Sequence, residues 1–240
     1  MTRSSLTPDE KLQLEFNRWA EEGRGDEMER HHLPITEPVF RMMELAPGDR
    51  VLDLGCGAGW ATRLLARMVA ADESAPQRDG VVVGLDISDE MIRRAQQTSR
   101  ENIRFVVGSA EQIPWEANFF DKVLSVESFY YYPDQDRALD ELHRVMAPGG
   151  CLYILINLYS DNPHSLRWVQ ELQVPVHARS EAEYVELFAA HRFEGIEAHR
   201  IPDPSPTPEE YTGKWFRNAQ ELREFKRIGA LLLVAAKPVR

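Results

Sequence analysis

Short apolar runs alternate with amphipathic stretches along most of the chain. The runs have the length and β-branched content of strands, whereas the stretches repeat apolar residues every three or four positions, as helices do. This order of elements is typical of a mostly parallel sheet with helices on both faces. The predicted strands lie near residues 50–54, 81–86, 103–107, 120–126, 150–157, 193–201 and 228–236, and the predicted helices near 60–71, 89–99, 135–146 and 181–191.

Two segments outside this alternation carry the signature of a helix N-terminus. Residues 7–10 and 207–210 both read Thr-Pro followed by two acidic residues. The threonine can cap a helix, the proline suits its first turn, and the second acid can bond back to the cap. We therefore predict helical pieces of a lid at both places. The polar segment 72–80 is predicted to be a surface loop.

The composition favours one soluble domain over residues 1–240. A chain of 240 residues with 43% hydrophobic content can bury one sizeable core. The formal net charge of −11 would repel phosphate backbones, so we expect no nucleic-acid partner. Residues 1–7 lack the apolar core of a secretory signal, and the run 230–236 is too short to span a bilayer, which predicts a cytoplasmic protein without membrane contact.

Cysteines give no sign of a metal centre or a disulfide framework. Cys56 and Cys151 are far apart and belong to no pair with metal-ligand spacing. We expect both to be reduced thiols. The sequence carries no signal of the oligomeric state.

A glycine-rich turn after the first predicted strand is the strongest sign of a ligand. The buried run Val51–Leu54 leads into Gly55, Gly57 and Gly59, just before a predicted helix. Glycine tolerates positive φ and removes the Cβ that would keep a ligand away from the backbone. The next apolar run ends at Asp86, where an acid can meet a ribose. Together the two segments predict a cofactor that contains a nucleoside.

The glycine spacing argues against a dinucleotide. A dinucleotide fingerprint needs a third small residue, three positions after its second glycine. Counted from Gly55 that position is Trp60, and counted from Gly57 it is Thr62. No GxxxxGK[ST] sequence is present to indicate a nucleoside triphosphate.

The pattern acid-x-Gly-x-Gly-x-Gly at residues 53–59 resembles the first motif of class I S-adenosylmethionine-dependent methyltransferases. Four more segments resemble the later motifs of that family in the same order, and together they cover about residues 34–157. Any one of them alone would be weak. The segments are Gly-Leu-Asp-Ile-Ser at 84–88, Gly-Ser-Ala-Glu-Gln-Ile-Pro-Trp at 108–115, Phe-Phe-Asp-Lys-Val-Leu-Ser at 119–125 and Leu-His-Arg-Val-Met-Ala-Pro-Gly-Gly at 142–150.

The resemblance implies a Rossmann-like α/β fold, with a seven-stranded, mostly parallel sheet of order 3-2-1-4-5-7-6 and an antiparallel last strand. It further implies an N-terminal helical lid over residues 1–33, a cofactor-binding core over 34–157, and a substrate-side segment with the final strands over 158–240. The cofactor would be S-adenosylmethionine, with S-adenosylhomocysteine as its product.

The resemblance also implies roles for residues of the first two motifs. The backbone at Gly55, Gly57 and Gly59 would pass close to the methionine and sugar of the cofactor. Asp53 would orient this turn or hold the cofactor's ammonium group through water. Asp86 can accept both ribose hydroxyls with one carboxylate.

Three later residues are candidates for the adenine. Ile87 is a candidate to pack on the adenine face, although an ordinary core position is an alternative. Ala110 and Glu111 resemble the loop at the adenine edge, where an acid could accept from the exocyclic amine. Glu111 could instead be merely exposed.

The segment 125–133 follows the fourth predicted strand and reads Ser-Val-Glu-Ser-Phe-Tyr-Tyr-Tyr-Pro. It lacks the Asn/Asp-Pro-Pro-aromatic motif of enzymes that methylate DNA adenine or protein glutamine. Its carboxylate and rings suit a pocket for a small, flat or partly apolar molecule, unless the rings only pack at a helix start. Glu127 is the first candidate for a general base, and Tyr130 and Tyr131 are candidates for acceptor binding.

Other candidates lie on the predicted lid and after the fifth strand. Trp19, beside Phe16, could contact cofactor or acceptor, or could only pack the lid. His31 is the second candidate for a general base, but it and His32 are adjacent and cannot share one helical face as a metal pair. Trp168 lies in a segment that forms the acceptor wall in many members of the family.

We therefore expect methyl transfer from S-adenosylmethionine to an O, C, N or S nucleophile of a small molecule, by in-line displacement. The chain is similar to the branch that includes the ubiquinone and menaquinone methyltransferases. Two alternatives stay open at this point: a protein that binds the cofactor without catalysis, and a nicotinamide-dependent oxidoreductase.

Overall fold

A computed structural model describes residues 6–70 and 80–240 as one seven-stranded sheet with helices on both faces. Residues 71–79, most of the loop predicted at 72–80, lie outside the described residues. The strands are β1 (Arg50–Leu54), β2 (Val81–Asp86), β3 (Ile103–Val107), β4 (Phe120–Val126), β5 (Met146–Ile156), β6 (Glu194–Ile201) and β7 (Ala230–Ala236). The helices are α1 (Pro8–Glu21), α2 (Arg24–Met42), α3 (Trp60–Met68), α4 (Asp89–Gln96), α5 (Gln135–Val145), α6 (Trp168–Glu171), α7 (Glu181–Ala190) and α8 (Ala219–Ile228), with a 3-10 turn at Phe129–Tyr131.

The predicted sheet order is confirmed. The strands follow the order β3-β2-β1-β4-β5-β7-β6, and β7 runs antiparallel to both β5 and β6 while the other neighbours are parallel. Leu54 at the end of β1 pairs with Leu85 on β2. Because parallel strands end at the same edge of a sheet, the glycine turn after β1 and Asp86 at the end of β2 emerge side by side.

The core lies on both faces of the sheet. Successive residues of the central strands alternate between the faces. Leu52 and Leu152 belong to the cluster under α5 and α7, whereas Val51 and Leu155 belong to the cluster under α2 and α3. These four side chains are fully buried, as expected for a parallel sheet covered on both sides.

The N-terminal helix begins as predicted. Thr7 Oγ1 accepts from the Glu10 amide at 3.2 Å, and Glu10 Oε2 accepts from the Thr7 amide at 2.7 Å, which completes a capping box. One helix, α2, then spans residue 33, so lid and core are joined without a break there.

The helix predicted at residues 207–210 is wrong. The chain has no helix there, and α8 begins only at Ala219, where the side chain of Asn218 accepts from the Glu221 amide at 2.9 Å. Prolines occupy every second position from 202 to 208, and each disfavours the helical region for the residue before it. The stretch between Pro208 and Gly213 is then too short to form a stable helix.

Within the described residues, no helix has the length and apolar character needed to cross a membrane.

Candidate active site

A cavity of about 430 Å³ opens at the carboxyl ends of β1, β2 and β4. Helices α1 and α2 cover it from one side, and the segment that precedes α8 closes another part of its wall through Lys214 and Trp215. This position, at the point where the strand order reverses next to β1, is where open α/β sheets bind their ligands.

The glycine turn forms part of the cavity floor. Gly55 and Gly57 line the cavity and have positive φ of 76° and 52°. At Gly55 a Cβ would overlap the Ser128 hydroxyl, so glycine is strongly favoured there. At Gly57 a Cβ would meet only the Met28 sulfur, at 3.5 Å, and would point into space that a ligand can use.

Asp86 is 8% exposed and lines the cavity beside this turn. One carboxylate oxygen accepts from the Gly57 amide at 2.8 Å and the other from the Ser88 amide at 2.9 Å. Burial raises the pKa of Asp86, and these backbone donors oppose the rise. Each oxygen keeps a second acceptor site, so the group can bind two vicinal hydroxyls.

Asp53 and Gly59 lie outside the cavity wall. Asp53 is 2% exposed and accepts from the Thr62 hydroxyl at 2.5 Å, which ties β1 to the first turn of α3. Burial raises the pKa of Asp53 to about 7, the Thr62 hydroxyl opposes the rise, and the charge of Asp86 adds to it. A Cβ on Gly59 would lie 2.6 Å from the Phe105 ring, so that glycine serves the packing of the turn on β3.

The three residues expected near the adenine all line the cavity. Ile87 is half-buried, and Ala110 is buried next to Glu111. Glu111 accepts from the Asp134 amide at 2.7 Å through one oxygen. Burial raises the pKa of this carboxyl, and the Asp134 amide opposes the rise.

Glu127 also lines the cavity, directly after β4, with a φ of 55° that is unusual for a non-glycine residue. One oxygen accepts from the Asn157 amide at 2.6 Å and the other from the Tyr130 hydroxyl at 3.1 Å. Burial raises the pKa of this carboxyl to about 7. A carboxyl with that pKa can accept a proton near neutral pH.

Four aromatic side chains continue this wall onto the lid: Phe16, Trp19, Tyr130 and Tyr131. The Tyr131 ring packs edge-on against Phe16 at 5.1 Å and against Trp19 at 6.1 Å. The Tyr130 and Tyr131 centroids are 4.5 Å apart. The rings join α1 to the 3-10 turn and make this part of the cavity wall apolar.

The lid is also held by polar contacts next to Asp86. Asn17 on α1 donates to Asp89 at 2.8 Å and accepts from the Ser88 hydroxyl at 2.6 Å. The Ser88 amide in turn donates to Asp86. Asn17 therefore connects the lid to the turn that presents the carboxylate.

Both adjacent histidines of α2 contribute to the cavity wall. His31 is exposed, whereas His32 is partly buried. Burial, followed by the charge of His31, lowers the pKa of His32 to about 4, so His32 is neutral at physiological pH. No group of three or more His, Cys, Asp or Glu side chains suited to a metal ion occurs in the described part of the chain.

Trp168 is not brought to the cavity. It packs in a separate aromatic cluster with Phe216 and Phe225, and its indole N–H has no partner. Its neighbour Trp215, 5.9 Å away, lines the cavity instead, together with Lys214. Sequence reasoning missed these two residues because they follow the proline-rich segment and belong to no motif.

Comparisons with known proteins identify methyltransferases among the relatives of this chain. Residues 52–154 match the family described as Methyltransferase domain. The demethylmenaquinone methyltransferase of Geobacillus kaustophilus is 36% identical over 126 residues, which are 50% of this chain and 50% of that protein. The chain spans about half the length of the curated relatives it matches.

Solved structures extend the similarity over nearly the whole chain. One comes from the complex between the Haloferax volcanii Trm112 methyltransferase activator and a methyltransferase: TM-score 0.84, 31% identity, 93% of this chain and 98% of that chain covered. The geranyl diphosphate C-methyltransferase of Streptomyces coelicolor, solved with S-adenosyl-L-homocysteine, shares the fold: TM-score 0.66, 18% identity, 84% of this chain and 78% of that chain covered.

Proposed function

The chain belongs to the class I S-adenosylmethionine-dependent methyltransferases, and from that premise we propose that it transfers the cofactor's methyl group to a small-molecule acceptor. The observation that carries the proposal is one cavity with two unlike walls. One wall holds bare glycine backbone and Asp86, and the other holds Glu127 and aromatic rings. The first wall suits a nucleoside and the second suits an acceptor.

The residues present fit S-adenosylmethionine. At Gly57 the backbone faces the cavity with room for a ligand, and Asp86 keeps acceptor sites for the ribose hydroxyls. Ile87, Ala110 and Glu111 would enclose the adenine. Asp53 would act through the turn, because its carboxylate bonds Thr62 behind the cavity floor. When bound, the cofactor supplies an electrophilic methyl group on a sulfonium.

The chain's own contribution to the chemistry is to orient the acceptor, exclude water and receive a proton. The lid and the rings of Trp19, Tyr130 and Tyr131 would hold the acceptor in line with the methyl group. Glu127 would accept the proton that the attacking atom loses, because its pKa of about 7 leaves a large ionised fraction at neutral pH. Tyr130 positions this carboxylate by its hydrogen bond.

The acceptor itself is proposed only as a class. The cavity volume of about 430 Å³ lies within the range of small-molecule sites. The similarity to a demethylmenaquinone methyltransferase favours a flat ring, and O, C, N and S nucleophiles all suit the wall.

Binding of S-adenosylhomocysteine tests the proposal without knowledge of the acceptor. The ligand should raise the melting temperature, whereas NAD should not. Asp86→Asn should weaken S-adenosylhomocysteine binding about ten- to hundred-fold in calorimetry, since charged hydrogen bonds contribute about 1.5–3 kcal/mol. Glu186→Gln, on the exposed side of α7, is the matched control and should bind as the wild type does.

Stabilisation by NAD alone would contradict the proposal. Turnover of labelled S-adenosylmethionine with a panel of phenols, quinones, amines and thiols separates an enzyme from a protein that only binds the cofactor. Cofactor binding without methylation of any co-purified or added acceptor would favour the latter.

A further inference from the structure

Two cations line the outer part of the cavity, and the proposed methyl transfer uses neither. Arg24 begins α2, and Lys214 lies in the segment before α8. Both also line a second, smaller cavity of about 180 Å³, which shares Trp19 and Trp215 with the first. The two cavities therefore adjoin at the cations Arg24 and Lys214 and at the indole rings of Trp19 and Trp215.

Each cation is stacked on one of those indoles. The Arg24 guanidinium carbon lies 5.0 Å from the Trp19 ring centroid, and Lys214 Nζ lies 4.4 Å from that of Trp215. A ring face positions a cation without neutralising it. Arg24 also pairs with Glu22 at 2.7 Å. For Lys214, by contrast, no acid comes within 4 Å among the described residues.

Cations among the residues that the structure describes are present at one end of the main cavity only, next to the acceptor wall. Asp86 and Glu111 lie at the end of the cavity proposed for the cofactor. Burial raises the pKa of Glu111, and the nearby negative charge of Asp9 raises it further. Arg24 is close to the other end, since its charge opposes the rise that burial causes in the pKa of Tyr131. Acids thus lie at the proposed cofactor site, whereas at the acceptor wall the cation Arg24 lies near the acids Glu127 and Glu15.

Two acidic side chains line the smaller cavity, and one of them, Glu15, already accepts hydrogen bonds from neighbouring side chains. Glu15 accepts from Arg18 at 2.5 Å and from the Trp19 indole at 2.8 Å. Glu171 is the second acid of that wall, against the three cations Arg18, Arg24 and Lys214. In the main cavity Glu27 pairs with Arg30 at 3.5 Å. Among the described residues of the two walls, Lys214 and Glu171 are charged side chains without an ion pair within 4 Å.

We propose that the methyl acceptor carries an anionic group, a carboxylate or a phosphate, which binds at Arg24 and Lys214 where the two cavities meet. This inference rests on the proposed function and narrows its acceptor class. The apolar body of the acceptor lies against Trp19 and Tyr131, with its nucleophile toward Glu127. Arg24 can hold an oxyanion with two parallel N–H donors, and Lys214 adds a point charge.

Small probes test this subsite on protein saturated with S-adenosylhomocysteine. Benzoate and phenyl phosphate should bind, whereas benzamide and benzyl alcohol, of similar size and without charge, should bind at least five-fold more weakly. The ratio of benzoate to phenyl phosphate affinity distinguishes a carboxylate site from a phosphate site. Lys214→Gln and Arg24→Gln should each reduce anion affinity at least five-fold and leave the neutral probes unchanged.

Lys11→Gln, at an exposed position of α1, is the matched control and should keep the preference for anions. Equal binding of charged and neutral probes would overturn the inference, as would an anion preference that survives Lys214→Gln and Arg24→Gln together. Failure of S-adenosylhomocysteine to bind would instead contradict the proposed function. The same probes on the protein alone would then still report on the anion subsite.

Discussion

Glu127→Gln should change the pH dependence of stability by an amount that can be worked out from the structure. The variant keeps the size of the side chain and a carbonyl oxygen for the Asn157 amide, but it cannot ionise. In the native protein burial raises the pKa of Glu127 from its ordinary value of 4.5 to about 7. That difference of 2.5 corresponds to about 3 kcal/mol, an upper value because the side chain is partly accessible from the cavity.

The sign follows from proton binding. Between pH 4.5 and 7 the native state holds a proton on Glu127 that the unfolded state has lost. The wild type therefore loses stability as the pH rises through this window, and no further change from this group occurs above it. The glutamine variant has no such loss. The pKa of Asp53 is raised too, but that carboxyl is present in both proteins and cancels in their difference.

Urea unfolding at pH 5 and pH 8.5 measures the effect. The free energy of unfolding of Glu127→Gln, relative to the wild type, should increase by about 2–3 kcal/mol from the lower to the higher pH. For the control Glu186→Gln, the difference from the wild type in free energy of unfolding should be the same at both pH values. A difference for Glu127→Gln that is independent of pH would refute the reasoning. Once an acceptor is known, the same variant should lose about 10²–10⁴-fold in methyl transfer.

Three further predictions concern the turn, the lid and a surface ion pair. Gly55→Ala should lower the free energy of unfolding by roughly 2–4 kcal/mol in urea, because a Cβ there meets the Ser128 hydroxyl at positive φ. Asn17→Ala should weaken S-adenosylhomocysteine binding several-fold in calorimetry, because it removes the contact between the lid and Ser88. The free energy of unfolding should change by less than about 1 kcal/mol. Unchanged affinity would show that this lid contact does not contribute to cofactor binding. Burial lowers the pKa of His191, but two aspartates of α5 raise it by more. The stability that protonated His191 contributes is therefore fully present below pH 6.5 and is lost as the pH rises through its raised pKa. His191→Gln should lower the melting temperature at pH 6 and have less effect at pH 8.5. An equal loss of melting temperature at both pH values would contradict this.

Much of the fold could be predicted because its signals are local. The bounds of β1 to β4 agree with the predicted strands residue for residue, since each is a short apolar run bounded by turn residues. The glycine turn and Asp86 could be placed together because parallel strands end at one edge. The roles assigned to these residues stay predictions.

Part of the proposed acceptor side could not be predicted, because distant segments build it. Trp168 and Trp215 contact each other, and only the tertiary structure decides that Trp215 faces the cavity. Residues 207–210 have the local sequence of a helix N-terminus, but no helix forms there because the alternating prolines before them disfavour helical backbone. Lys214 follows that segment, so nothing in its sequence neighbourhood indicated a position opposite the lid.

The central position of β7 has a consequence for the order in which the chain can fold during synthesis. Strand β6 pairs only with β7 within the described sheet, and β7 is made some thirty residues later along the chain. Until β7 has left the ribosome, β6 has no partner and the outer side of β5 is uncovered. The half of the sheet that carries the glycine turn needs neither strand, so a nascent chain can form the proposed cofactor wall before Lys214 and Trp215 reach the cavity.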